Sequence, residues 1–207
     1  MRLASLALGL ALLHAPLALA HEGVMHATAT EAAAHGPLAQ GLALPVNLGG
    51  PFALIDQTGH PRTEADPAGH LQLLFFGYAN CQQICSVALP QMADIQVGLA
   101  ARGVALTPVM ITVDPLRDTV ATIGPALARV SPAIIGLTGD EAALQAAYKA
   151  WSVEKTLVFE DPETGPVYAH GSLFYLLDGQ GRFLTLIPPI LTNERAIDII
   201  AAYAPAG

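Results

Sequence analysis

Cys81 and Cys85 are the two cysteines of this 207-residue chain, with three residues between them. They follow the apolar run Leu71-Gln72-Leu73-Leu74-Phe75-Phe76-Gly77. A short, continuous apolar run predicts a buried strand ending near Gly77, and apolar residues at helical spacing over 86–99 predict a helix behind it. A helix starting near Cys81 would put both sulfurs on one face at its N-terminus, where the macrodipole favours thiolates. Two thiols so placed can share a soft metal or close a disulfide, and a strand-to-helix loop is a favoured place for such chemistry. A purely structural bridge is the plainer reading. Closing so short a loop restrains little unfolded-state entropy, so stability alone is a weak reason for it.

Residues 1–20 bear on which chemistry applies. They contain one basic residue, Arg2, an apolar stretch over 3–13 and the small-x-small site Ala18-Leu19-Ala20, the pattern of a secretory signal peptide. The same stretch retained as a membrane anchor is the alternative, although His14 and Pro16 interrupt it. Export predicts a periplasmic or otherwise extracytoplasmic protein, soluble after cleavage and membrane-anchored without it. There, paired thiols become a disulfide unless a metal or a reductant intervenes. Loss of Arg2 with the leader takes the formal charge from −8 to −9. The nine Lys and Arg residues are scattered without a basic run, which argues against nucleic acid as a partner. The apolar share of 53% and mean hydropathy of +0.47 are raised in part by the leader.

Cleavage after Ala20 would expose His21-Glu22-Gly23-Val24-Met25-His26 at the head of an Ala/Thr/Gly-rich segment over 21–45. This segment reads most simply as a flexible tail. Its functional reading is accessory metal capture. A free α-amino group with His21 suits Cu(II), and Met25 with His26 suits Cu(I). The remainder, 46–207, reads as one domain.

Within that domain strands are expected over 52–56, 71–76, 104–113, 134–137, 173–177 and 183–187. Helices are expected over 86–99, 119–130, 141–151 and 193–203. Asp140 is suited to cap the third helix, and Asp178-Gly179-Gln180-Gly181 reads as the turn of a hairpin. Alternating strands and helices with an added β-hairpin predict an α/β fold, a mixed sheet flanked by helices on both faces. The loops after Phe76, after Val113 and before Leu173 are expected to converge at one sheet edge. The last of these carries His170, whereas His60 and His70 fall in expected turns and read as solvated.

Five motifs in this order carry a family resemblance. They are Phe52-x-Leu54-x-Asp56-x-x-Gly59; Phe75-Phe76-Gly77-Tyr78 with Cys81-x-x-x-Cys85; Val113-Asp114-Pro115-x-Arg117-Asp118; Ile135-Gly136-Leu137-Thr138-Gly139; and His170 before Tyr175-Leu176-x-Asp178. From Phe52 to the C-terminal helix the chain resembles the SCO/SenC family. The resemblance implies a thioredoxin-like fold, copper held by Cys81, Cys85 and His170, and a role in assembling the binuclear copper centre of cytochrome c oxidase. The chain departs from the family pattern at Gln82 and Ser86, where many members have proline, and at Ala169, where an acidic residue is common. These changes spare the ligands but bear on helix entry and on imidazole basicity.

Two thiolates and an imidazole suit Cu(I), with Cu(II) also accommodated, and three ligands leave a position for an incoming donor. Structural zinc ordinarily takes four ligands and ranks lower. Asp114, with Arg117 and Asp118, reads either as turn and cap chemistry or as support behind the metal ligands. Two classes of function remain. The first is a copper chaperone serving an oxidase copper-centre subunit or related apo-protein, loaded from another periplasmic copper chaperone. The second is a thiol-disulfide oxidoreductase with Cys81 attacking and Cys85 resolving. Three residues between the cysteines, and a histidine unnecessary for exchange, favour the first. A monomer is the default, since no coiled-coil pattern or self-complementary edge is evident.

Overall fold

The computed structural model describes residues 48–66, 68–79 and 84–204. The expected leader, the His/Met tail and Cys81 lie outside these ranges.

A short hairpin of β1 (Leu54–Asp56) and β2 (Pro61–Arg62) precedes β3 (Leu71–Gly77) and the helix α1 (Cys85–Ala100). Next come β4 (Leu106–Thr112), α2 (Val120–Ala128), β5 (Ile135–Thr138) and α3 (Glu141–Ala150). A second hairpin, β6 (Thr156–Asp161) with β7 (Gly165–Ala169), leads to β8 (Phe174–Leu177), β9 (Phe183–Ile187) and α4 (Asn193–Ala201). The main sheet has the order β2-β1-β5-β4-β3-β8-β9, while β6 and β7 pair with each other in a separate sheet. β3, β4 and β5 run parallel, and the remaining pairs are antiparallel. This is the expected thioredoxin-like mixed sheet.

Every residue of β3 is buried, as a central strand covered on both faces requires. Side chains alternate across the sheet. Phe76 faces Tyr148 of α3 and Tyr175 of β8, with ring centroids 6.1 and 5.6 Å apart. Phe75 and Gly77 point the other way, where a Cβ on Gly77 would lie 3.1 Å from Cys85 Sγ at the head of α1. α4 shares that face, because Gly98 of α1 closely approaches Ile197. So does α2, whose Ile123 and Leu127 pack on Gly136 of β5; Gly136 pairs with Met110, and Met110 with Phe75. Helices therefore cover both faces, as expected. Among the described residues no helix is long and apolar enough to cross a membrane.

Three expectations need correction. α1 begins at Cys85 behind Ile84, which makes no side-chain cap bond, rather than near Cys81, which lies outside the described residues. Ile84 is not a favoured cap residue. His70 is half-buried rather than solvated, with Nε2 2.7 Å from Thr107 Oγ1, whereas His60 is exposed as expected. The β6–β7 hairpin, unforeseen, occupies 156–169.

Candidate metal centre

Cys85 is the first residue of α1 and is 1% exposed. The positive end of the helix dipole there favours negative charge on its sulfur. His170 follows β7 directly, and its Nε2 lies 3.7 Å from Cys85 Sγ. The other ring nitrogen, Nδ1, is 2.9 Å from the Gly171 carbonyl oxygen. A carbonyl can only accept, so Nδ1 is the donor to Gly171, and Nε2 is the ring nitrogen turned toward the sulfur. The edges of Phe75 and Tyr78 pack against the imidazole, each with its ring centroid 5.8 Å away. The separation suits a shared ligand: a metal about 2.3 Å from sulfur and about 2.0 Å from nitrogen holds the two about 3.7 Å apart at a trigonal angle.

The loop after β4 supports this pair from beneath. Asp114 is 1% exposed, and its Oδ2 accepts from Arg117 Nε. Arg117 Nη1 donates to the Thr164 carbonyl, and Nη2 donates to that of Pro166 at 2.7 Å. The guanidinium also lies over the Tyr78 ring, 5.4 Å from its centroid. Asp118, buried as well, accepts from Ala79 N at 2.9 Å and from Thr112 Oγ1 at 2.7 Å, which ties the start of the cysteine loop to β4. Burial pushes the Asp118 carboxyl above its ordinary range, against the lowering effect of those donors.

The three loops expected to converge thus do so: Cys85 meets His170, Ala79 meets Asp118, and Arg117 meets the chain leading to His170. Among the described residues Asp114 is linked to the imidazole through Arg117 and Tyr78. Cys81, His21, Met25 and His26 lie outside the described residues. Among those described, no group of three or more His, Cys, Asp or Glu side chains gathers around one point, so Cys85 and His170 stand as a pair. Reasoning from the sequence missed Arg117 as the link to the hairpin. The turn Asp161-Pro162-Glu163-Thr164-Gly165 was the available signal, since Asp161 Oδ1 accepts from the amides of Glu163 and Thr164.

The family model described as SCO1/SenC matches residues 41–205. The chain belongs to the SCO1/SenC family. An SCO2-like protein of Rickettsia felis is 34% identical over 140 residues, which cover 67% of this chain and 68% of that protein. Protein SenC of Rhodobacter capsulatus is 33% identical over 159 residues, 77% of this chain and 72% of its own length. Bradyrhizobium japonicum ScoI, solved with copper bound, superimposes with a TM-score of 0.68 at 31% identity, covering 75% of this chain and 99% of ScoI. This SCO1/SenC protein shares fold and family with a chain known to hold the metal.

Proposed function

We propose that this chain binds copper, preferentially Cu(I), through Cys81, Cys85 and His170 outside the cytoplasm. It then passes the metal to an apo-protein, the binuclear copper centre of cytochrome c oxidase. The observation that carries the reading is Nε2 of His170 held 3.7 Å from Cys85 Sγ. Copper in the related ScoI structure supports it. Copper is cargo here. Each ligand from the acceptor replaces one of the chain's own, the oxidation state of copper does not change, and the released thiolates take up protons. Burial of Cys85 and the hydrophobic edges of Phe75 and Tyr78 limit water at the sulfur, which favours the soft thiolate complex over hydrolysis and oxidation. The leader expected over residues 1–20 supports a periplasmic or otherwise extracytoplasmic exchange, and His21, Met25 and His26 are the candidates for accessory capture.

The test is anaerobic Cu(I) titration of the reduced protein against a competing chelator. One tight equivalent is expected, with affinity lowered at least about a hundredfold in His170→Ala and abolished in Cys81→Ser and Cys85→Ser. Weak binding indifferent to His170, beside a readily exchanged Cys81–Cys85 disulfide, would move the protein to the thiol-disulfide oxidoreductases.

A further inference from the structure

We propose that Arg117 is the positioning residue for His170, setting where the imidazole stands relative to Cys85. For copper affinity this inference rests on the function proposed above; for the imidazole itself it does not. The β6–β7 hairpin pairs with itself and not with the main sheet. Five of the six β6 residues are exposed. A two-stranded hairpin alone is marginally stable in water, yet its second strand ends at Ala169, one residue before His170. Something must fix it.

Arg117 has the chemistry for this. A guanidinium is a rigid planar fork of five donors, and this one reaches three separate anchors. Nε is held by Asp114 Oδ2, Nη1 by the Thr164 carbonyl and Nη2 by the Pro166 carbonyl. Asp114 is itself fixed to the end of β4, its amide donating to Thr112 Oγ1 at 2.9 Å. The fork therefore joins the main sheet to the first residues of β7. Gly165 permits the approach, since a Cβ there would lie 2.9 Å from Nη1. The cation also sits on Tyr78, whose ring meets both Tyr168 of β7, 5.9 Å away, and His170. Arg117 thus holds the strand that delivers His170 at its beginning, and the aromatic ring that borders the imidazole at its end. A lysine keeps the charge but has no fork to span an aspartate and two carbonyls.

The test uses the full chain, reduced and metal-free, as Arg117→Lys, with Arg117→Gln as a second variant. Imidazole ¹⁵N signals, assigned to His170 by their absence from His170→Ala, should report the single Nδ1–H form in the parent and a mixture of tautomers in Arg117→Lys. Cu(I) affinity should fall about tenfold in Arg117→Lys, and Arg117→Lys should cost nothing further in a His170→Ala background. Parent-like imidazole signals, or the same loss of affinity in both backgrounds, would overturn the assignment. Unfolding of both variants would also overturn it, making Arg117 a determinant of fold stability. If the parent takes up no copper, the proposed function fails while the imidazole signals still decide the role of Arg117.

Discussion

Gly77 shows how narrowly the sulfur is seated. A Cβ at this position would come within 2.5 Å of Phe75 Cε1 and 3.1 Å of Cys85 Sγ. The first distance is shorter than packed carbons allow, and the Phe75 ring cannot swing aside freely because it is wedged between His170 and Phe174. Gly77→Ala must displace Phe75, the head of α1, or both. Overpacking of this kind costs about 1–3 kcal/mol, and we expect a Cu(I) affinity about tenfold below the parent's. Chemical denaturation and chelator competition on one preparation measure both effects; an alanine variant with parental copper affinity would show that the sulfur is not confined by this contact. Glycine at the end of the strand was readable in the sequence, but its reason was not. It depends on the distance between two residues brought together only when α1 folds back over β3.

At the scale of elements, the parts that read correctly are those whose pattern is local. β3 announced itself by a continuous apolar run, and α3 by Asp140, whose Oδ1 accepts from Ala143 N at 2.8 Å. The β6–β7 hairpin did not. Its strands have little burial to impose alternation, Leu157, Val158 and Phe159 are all exposed, and a register shift falls between Leu157 and Phe159. The β1–β2 hairpin is held instead by one side chain. Asp56 is 3% exposed; its Oδ1 accepts from Thr58 N, Thr58 Oγ1 and His60 N, and its Oδ2 from Arg62 Nε at 2.8 Å. Burial by itself would raise its pKa, but these donors outweigh it and hold the carboxyl well below the ordinary range. A carboxylate whose folded pKa is depressed contributes stability in full above its unfolded value, near 4, and loses it as pH falls toward the folded value. Asp56→Asn should therefore cost about 1–3 kcal/mol at pH 7. The gap between parent and variant should narrow by about 1 kcal/mol at pH 3. Denaturation curves at pH 7, 5 and 3 check this, and a gap unchanged at pH 3 would mean that the carboxylate is not the group responsible.

Across the whole molecule, Cys85 and His170, the proposed ligands within the described residues, are 85 positions apart in sequence and meet only when the sheet is assembled. Both stood out in the sequence as candidates, because the cysteine spacing and the motif around His170 are local. Their mutual geometry did not, because it depends on β3, α1 and the hairpin taking their places together. Copper held across such a site binds the folded chain far better than the unfolded one, so binding and folding are linked. The chain's one tryptophan, Trp151, suits the measurement. It is fully buried, donates to the Gly50 carbonyl at 3.2 Å and meets Tyr175 on the sheet face opposite Cys85, so its fluorescence reports global unfolding. With free Cu(I) at a hundred times the dissociation constant, linkage adds about 2.7 kcal/mol, which for a domain of this size raises Tm by about 5–10 °C. His170→Ala at the same copper concentration should show little of that rise. An equal rise in parent and variant would mean that His170 does not hold the stabilising copper.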